Sequence, residues 1–195
     1  MRACKTKPDI ILYGGPASGK GTQAALLAKK LSAKPMNMGG LLREIARAGS
    51  SQATTIKKIM GAGKLVPETI SARLMREFVS KVSPSQRIVF DGYPRTTVQA
   101  RNLIAAETKV HRSAIMLFID LPAKIAKQRI MSRAKIEGRT DDIRASTINE
   151  RLKVFKEKSK GLLGFYRVQK ALIKINGDQT IKAVHLDILK AIKDL

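Results

Sequence analysis

Several residue types are scarce in this chain of 195 residues, and each scarcity excludes a class of protein. The single cysteine, Cys4, cannot form an internal disulfide or a cysteine-rich zinc site. No apolar run approaches the roughly 20 residues of a membrane span. The basic start of the chain, from Met1 to Pro8, has no apolar signal core. We therefore expect a cytoplasmic protein without a membrane partner.

Acidic and aromatic residues are scarce as well. The chain has 15 Asp and Glu against 38 Lys and Arg, a net charge of +23, so an anionic partner is expected. Aromatic residues make up only 4% of the chain and Trp is absent. Proteins that bind single-stranded nucleic acid usually stack bases on aromatic side chains. A small phosphate-rich ligand in a basic cleft, together with a general bias toward Lys, is therefore favoured over a nucleic-acid polymer.

What the chain does contain is an alternation of short apolar runs with longer helical segments. At 44% hydrophobic residues, the 195 residues are expected to form one domain, 1–195, with its own core. This alternation predicts an α/β protein with a five-stranded parallel sheet flanked by helices. The predicted strands are Asp9 to Tyr13, Pro35 to Met38, Arg87 to Phe90, Ala114 to Ile119 and Leu172 to Ile175.

Helical spacing of apolar residues fills most of the chain between these strands. Several short helices are expected between Gly39 and Val82, with breaks at Gly49, at Gly61 to Gly63 and at Pro67. The other predicted helices are Thr22 to Leu31, Thr96 to Ala106, one that begins near Pro122, Ala145 to Val168 and Ile181 to Ile192. In such sheets ligands bind beyond the carboxyl ends of the strands.

A glycine-rich loop, Gly14 to Thr22, follows the first strand and opens a helix. Small residues let backbone N–H groups turn inward, and these groups and the helix N-terminus bind anionic phosphates. Lys20 adds a full charge near the β and γ phosphates, while Gly21 takes the place of the hydroxyl expected after the lysine. The residues predicted to bind nucleotide phosphates are Gly15, Ala17, Ser18, Gly19, Lys20, Gly21 and Thr22.

The string Gly-Lys-Gly-Thr-Gln at Gly19 to Gln23 resembles the nucleoside monophosphate kinases, and the adenylate kinases above all. The resemblance extends from about Ile10 to Ile192, with the motifs in family order. It implies a P-loop NTPase core, a helical NMP-binding insert at about 37–66 and a short lid at about 132–142. It also implies reversible transfer of a phosphoryl group from ATP to AMP. Ala17 stands where the family commonly has glycine, so the loop must tolerate an extra Cβ.

A second motif, Asp91 to Thr96, resembles the family's Asp-Gly-Phe-Pro-Arg string, with Tyr93 in place of Phe. The resemblance implies that Arg95, with Gly92, binds the α-phosphate of AMP, and that Asp91 orders water around the Mg²⁺ that accompanies ATP. Both roles suit the chemistry, because Mg²⁺ is usually held through one or two carboxylates plus substrate phosphates. The guanidinium fork matches phosphate oxygens.

Further residues of the AMP site come from partial matches. By resemblance Arg43 is a second arginine of this site, although Met38 replaces the usual Thr and Gly40 a common Asp. Gln99 stands where AMP-using members have Gln, and its amide offers adenine one donor and one acceptor. The backbone strip that contacts the acceptor nucleoside corresponds to Lys64, Leu65 and Val66.

Four more arginines resemble those that bind the donor and the moving phosphoryl group. Arg129 and Arg133, one turn apart on a helix, correspond to residues near the donor base and phosphates. By resemblance Arg139 and Arg151 bind AMP and stabilise the transferring phosphoryl group. The resemblance assigns catalysis to Lys20, Arg95, Arg129, Arg139 and Arg151, and contact with the donor adenine to the carbonyl of Gln179. Phosphoryl transfer needs such charges because the protein's task is alignment, neutralisation and exclusion of water.

Two further expectations concern zinc and the oligomeric state of the chain. The stretch 132–142 contains no Cys and no His, so no structural zinc is predicted. The chain is expected to act as a monomer on the small nucleotides ATP, AMP and ADP.

Two alternatives stay open from the sequence. A UMP/CMP-type kinase is motivated by Met38 and Gly40, whereas Gln99 argues against it. A basic nucleic-acid-binding protein on a weakly active kinase fold is motivated by Ala17, Met38 and the +23 charge. A preference for UMP over AMP in the reaction rates would favour the first alternative. Salt-sensitive RNA binding with negligible turnover would favour the second.

Overall fold

The computed structural model describes residues 7–49, 51–126, 128–130, 145–193 and 195. Its strands are β1 Asp9–Gly14, β2 Lys34–Asn37, β3 Ile88–Asp91, β4 Ala114–Asp120 and β5 Leu172–Asn176. They form one sheet in the order β2-β3-β1-β4-β5, and every pairing is parallel. The predicted α/β class and five-stranded parallel sheet are confirmed, and the bounds of every predicted strand lie within one residue of those observed.

Helices connect the strands and cover both faces of the sheet. They are α1 Lys20–Leu31, α2 Met38–Arg47, α3 Ser51–Gly61, α4 Glu68–Lys81, α5 Thr97–Lys109, α6 Ala145–Val168 and α7 Ile181–Ala191. A further helical segment over 123–126 and 128–130 follows Pro122. The predicted breaks separate α2, α3 and α4, because the chain takes left-handed φ angles of 76° at Gly49 and 74° at Gly63. None of the described helices combines the length and hydropathy that a bilayer span requires.

The sheet separates two hydrophobic cores, because successive side chains of a strand point to opposite faces. On one face Ile10 and Leu12 of β1 pack with the apolar residues of α1 and α7. On the other face Ile11 and Tyr13 belong to a larger core that includes residues of α4, α5 and α6. This larger core continues into the insert predicted at about 37–66, with buried residues Met38, Leu42, Ile56 and Val66. The described residues of 37–66 therefore share a hydrophobic core with the sheet.

The strand register brings all the carboxyl ends to one edge of the sheet. Asp91 pairs with Leu12 on one side and with Asn37 on the other, and Asp120 pairs with Asn176. From β1 the chain continues toward β2 on one side of the sheet, whereas from β4 it continues toward β5 on the opposite side. A crevice forms at such a reversal and is the usual place for a ligand. The motifs that follow β1 and β3 both lie at this edge.

Candidate active site

A cavity of about 410 Å³ opens at the carboxyl edge of the sheet. Its walls come from the loop after β1, from the segment between α3 and α4, from the turn after β3 and from the start of α6. Most of the site residues predicted from the sequence, although far apart in the chain, line this one space. They are Ala17, Gly19, Lys20, Gly21, Thr22, Met38, Arg43, Lys64, Leu65, Val66, Asp91, Gly92, Arg95, Gln99 and Arg151.

The phosphate loop folds closely on itself between β1 and α1. A Cβ at Gly14 would lie 2.5 Å from Ser18 Oγ and 2.7 Å from the Ile119 carbonyl oxygen, so only glycine fits there. The Lys20 ammonium donates to the Gly15 carbonyl oxygen at 2.9 Å, which keeps the charge beside the loop. The first turn of α1 has no acidic residue to offset the positive end of the helix dipole. These features make the loop suitable for binding an anion. Of the residues predicted for it, Gly15 and Ser18 do not line the cavity.

The phosphate loop accommodates the Cβ of Ala17 in an unusual backbone conformation. Its φ angle is 58°, in the left-handed region that residues with a Cβ rarely adopt. This conformation costs such a residue roughly 1–2 kcal/mol. The loop therefore accommodates the alanine at the price of backbone strain.

Three of the predicted arginines, Arg43, Arg95 and Arg151, come together in the same cavity. Arg95 is accessible to water within the open cleft, and its Nε donates to the Gly92 carbonyl oxygen at 3.0 Å. The pKa of Arg95 is lowered, chiefly because the protein around the cleft displaces solvent. The Asp91 carboxylate opposes this shift, whereas the neighbouring Arg151 and Arg43 add to it. An excess of positive charge around Arg95 is suited to binding an anion.

Asp91 links these arginines to the phosphate loop. A Cβ at Gly21 would lie 3.3 Å from Asp91 Oδ2, so the glycine after Lys20 leaves room for the carboxylate. A hard oxygen donor beside a phosphate loop fits Mg²⁺, which takes its other ligands from water and substrate phosphates. Within the described ranges no cluster of three His, Cys, Asp or Glu residues forms a metal site by itself. The prediction of no zinc concerns 132–142, which lies outside the described residues.

Gln99 lies buried at the side of the cavity, with only 3% of its surface exposed. Its Oε1 accepts a hydrogen bond from the Arg95 backbone N–H at 2.7 Å, and its Nε2 lies 3.4 Å from Ser71 Oγ. Met38 is buried next to the same space. The predicted base-recognition residue is thus both at the cavity and held by other protein groups.

The residues predicted for the donor base meet one another outside the cavity lining. The Arg129 guanidinium donates to the carbonyl oxygens of Gly177 at 3.2 Å and Gln179 at 3.4 Å. This contact joins the helical segment after β4 to the loop after β5. Arg133 and Arg139, and the predicted lid over 132–142, lie outside the described residues.

Several residues that line the cavity were not predicted as site residues from the sequence, and Tyr13, Ser71 and Phe155 are among them. Phe155 lies four residues after Arg151 on α6, so helical spacing could have found it. Tyr13 packs its ring 5.6 Å from that of Phe155, and burial raises its pKa to about 12 against the opposing effect of Arg95. For Ser71, a residue within α4, the sequence offers no signal.

Comparison with known proteins agrees with this geometry. The family model for adenylate kinase matches residues 12–171. The chain is 35% identical to an adenylate kinase of Thermus thermophilus over 185 residues, which cover 94% of this chain and 96% of that protein. It is 33% identical to human adenylate kinase isoenzyme 1 over 193 residues, 95% and 97% of the two chains. It is also 34% identical to the uridylate kinase of Saccharomyces cerevisiae over 188 residues, 95% and 90% of the two chains. The chain therefore belongs to the adenylate kinase family.

Proposed function

We propose that this chain catalyses the reversible transfer of the γ-phosphoryl group of ATP to AMP, giving two ADP. The observation that carries the proposal is the presence of two groups suited to binding anions in one cavity. The phosphate loop with Lys20 forms one site, and the arginine group of Arg43, Arg95 and Arg151 forms the other. Two phosphate chains that face each other are what transfer between two nucleotides requires.

Each group has a defined task in this reaction. The loop N–H groups and Lys20 bind the β and γ phosphates of ATP, and Arg43 and Arg95 bind the α-phosphate of AMP. Arg151 lies beside Arg95, where it neutralises charge on the moving group. We assign the same task to Arg129 and Arg139 on the family resemblance. No protein base is required, because alignment and charge stabilisation carry most of the catalysis.

Mg²⁺ bound with ATP would supply further charge neutralisation of the phosphates. Asp91 is the residue that would hold it, through water, because its carboxylate lies beside Gly21 of the phosphate loop.

Water must be excluded during transfer, or ATP would be hydrolysed. We assign closure of the site to the lid at about 132–142 and to the insert at about 37–66. A closed insert would approach α6, and Gly63 already lies so near Thr147 that a Cβ would be 2.9 Å from its carbonyl oxygen. The enzyme is proposed to act as a monomer in the cytoplasm.

A coupled assay of ADP formation tests the proposal, with ATP, Mg²⁺ and each of AMP, UMP, CMP and GMP. We expect AMP to be the preferred acceptor. Lys20→Ala should lower kcat by about 10²–10³, the usual effect of removing one charge-stabilising donor. Lys30→Ala, an exposed lysine at the other end of α1, is the matched control and should leave turnover unchanged. Turnover of AMP that survives the Lys20 substitution would contradict the assignment of the site.

A UMP/CMP-type kinase is the second candidate. The similarity to a yeast uridylate kinase favours it, and Met38 offers no hydroxyl to an adenine base. The same assay decides between the two, since a higher kcat/KM with UMP than with AMP would reject our first assignment.

A further inference from the structure

We infer that Ser71, together with the Arg95 backbone, fixes the orientation of the Gln99 amide, so that the acceptor site takes nucleobases with an amino group beside an unprotonated ring nitrogen and rejects those with a carbonyl beside a ring N–H. The inference rests on the proposed function of the cavity, and it gives Ser71 the role of a positioning residue that acts through Gln99.

The Arg95 backbone fixes one end of the amide. Its N–H lies 2.7 Å from Gln99 Oε1, and a backbone N–H can only donate. The oxygen must therefore face Arg95, and the NH₂ group is turned toward Ser71 Oγ at 3.4 Å.

Ser71 requires the same orientation from the other end. A serine hydroxyl can donate or accept, but that of Ser71 donates its proton to the Glu68 carbonyl oxygen at 3.2 Å. Lone pairs are thus what Ser71 presents to Gln99, and they accept from an NH₂ group. Ser71 is only 1% exposed, so water cannot readily replace this contact. Reversing the amide would leave buried donors without acceptors.

The main chain around Gln99 is held as well. Thr96 Oγ1 accepts from the Gln99 N–H at 3.1 Å and donates to Glu68 Oε1 at 2.8 Å. Tyr93 Oη donates to the Gln99 carbonyl oxygen at 3.2 Å. Glu68 of α4 therefore supports Gln99 in two ways. Its backbone carbonyl binds Ser71, which contacts the Gln99 amide, and its carboxylate binds Thr96, which contacts the Gln99 N–H. This support leaves the amide little freedom to change its position.

A fixed amide offers its free N–H and its free lone pair in one order only. Adenine and cytosine present an amino donor beside a ring-nitrogen acceptor. Hypoxanthine, guanine and uracil present a carbonyl acceptor beside a ring N–H donor, which is the reverse order. An amide that suits AMP therefore opposes inosine monophosphate, a purine of the same size that differs only on this edge.

The experiment compares AMP with inosine monophosphate on the wild type, Ser71→Ala, Ser71→Thr and Ser80→Ala. Calorimetric binding is measured without ATP, and kcat and KM are measured with ATP and Mg²⁺. Ser80 is the matched control, because its Oγ donates to the Glu77 carbonyl oxygen at 3.1 Å, the same bond within the same helix but on the exposed side.

We expect Ser71→Ala to lower the preference for AMP over inosine monophosphate by about threefold to tenfold, the worth of one hydrogen bond. The change should appear in Kd and KM and leave kcat nearly unchanged. Ser71→Thr keeps the hydroxyl and should restore the preference, and Ser80→Ala should match the wild type. A thermal unfolding curve establishes that each variant is folded.

Two results would overturn the inference: an unchanged preference in Ser71→Ala, or equal weakening of both ligands. Absence of AMP turnover in the wild type would instead reject the proposed function. The binding preference would still decide the role of Ser71 in that event, so the two failures are distinguishable.

Discussion

In the parallel sheet, all strands begin at one end, the amino edge, and all finish at the other, the carboxyl edge. These two edges place arginine beside aspartate in opposite ways. At the amino edge Asp9 accepts from Arg112 Nε and Nη2, both at 2.8 Å, and the two side chains are almost fully buried. At the carboxyl edge Arg95 lies near Asp91, but Arg151 and Arg43 surround it with further positive charge. One edge pairs a buried arginine with a buried aspartate, whereas the other places three arginines and one aspartate around a cavity.

On the proposed function, the difference separates the part of the molecule that stabilises the fold from the part that binds substrate. The Asp9 carboxylate also accepts from the Ile88 backbone N–H, so the amino edge ties β1, β3 and the turn before β4 together. Arg151 and Arg43 disfavour the positive charge of Arg95 and Asp91 favours it, so a bound anion would reduce the repulsion among the arginines. Strained and strongly charged groups of this kind tend to concentrate at functional sites, where they cost some stability.

Breaking the amino edge should give the largest effect on stability. Arg112→Ala leaves the Asp9 carboxylate buried without its cation, which typically costs about 3–5 kcal/mol of the free energy of unfolding. Urea unfolding measures this loss, and kcat per folded molecule should be unchanged. Arg101→Ala, an exposed arginine on α5, is the control and should stay within about 0.5 kcal/mol of the wild type. A loss of activity beyond the loss of folded protein would contradict the separation of the two edges.

The matching substitution at the carboxyl edge should lower activity and leave stability nearly unchanged. Arg95→Ala should lower kcat/KM for AMP by about 10²–10³, because a charge that stabilises the phosphates is removed. The free energy of unfolding should not fall appreciably, because relief of the repulsion from Arg151 and Arg43 offsets the lost attraction to Asp91. Steady-state kinetics and urea unfolding on the same preparation check both statements. A large loss of stability would mean that this edge, too, holds the fold together.

The amino edge should also make stability depend on pH. Burial, with the nearby Asp9 charge, raises the pKa of Glu107 from 4.5 to about 8, and Arg112 only partly opposes this. Between these values the folded state keeps a proton that the unfolded state loses. This group alone should therefore lower the free energy of unfolding progressively as the pH rises from about 5 to about 8, by roughly 1 kcal/mol for each pH unit.

Glu107→Gln removes the ionisation and should flatten the profile over that range. Chemical unfolding at several pH values measures the slope, and Glu77→Gln, on the exposed surface of α4, should leave it as in the wild type. Persistence of the full slope in Glu107→Gln would assign the pH dependence to other groups.

The smallest expected effect concerns strain in the phosphate loop. Ala17→Gly relieves the left-handed φ of 58° but gives the unfolded chain more freedom, so a net gain of about 0.5–1 kcal/mol is expected. Ala48→Gly is the control, because Ala48 has an ordinary φ of −75° and should lose stability instead. Equal effects at both positions, measured as shifts in Tm, would show that the loop conformation carries no strain.

Much of the fold follows from local patterns in the sequence. β4 could be recognised because Ala114 to Ile119 is wholly apolar, and apolar strands of this kind belong to covered parallel sheets. The helix breaks at Gly49 and Gly63 follow from the need for a positive φ. Some observed strands end one residue later than predicted, as β3 does at the polar residue Asp91. Backbone pairing there extends one residue past the apolar run.

The candidate site is predictable only in part, for a different reason. Lys20, Arg95 and Gln99 belong to motifs, and each lies at the cavity as expected. Ser71 belongs to no motif, and nothing in its neighbours along the chain distinguishes it from another helical serine. Its role depends on a contact with Gln99, 28 residues away, that exists only after α4 and α5 pack together.

The sequence by itself determined the phosphate loop, because a strand, a glycine-rich turn and a helix that follow each other directly form an anion site from local geometry. The family resemblance predicted Arg43, Arg95 and Arg151 for one site, but only the tertiary structure brings them together at one cavity and fixes the direction of the Gln99 amide. The tertiary structure also decided that Asp9 and Arg112 close the amino edge. The physical reason is that these contacts join distant segments, and their geometry is set by how the strands pair and the helices pack.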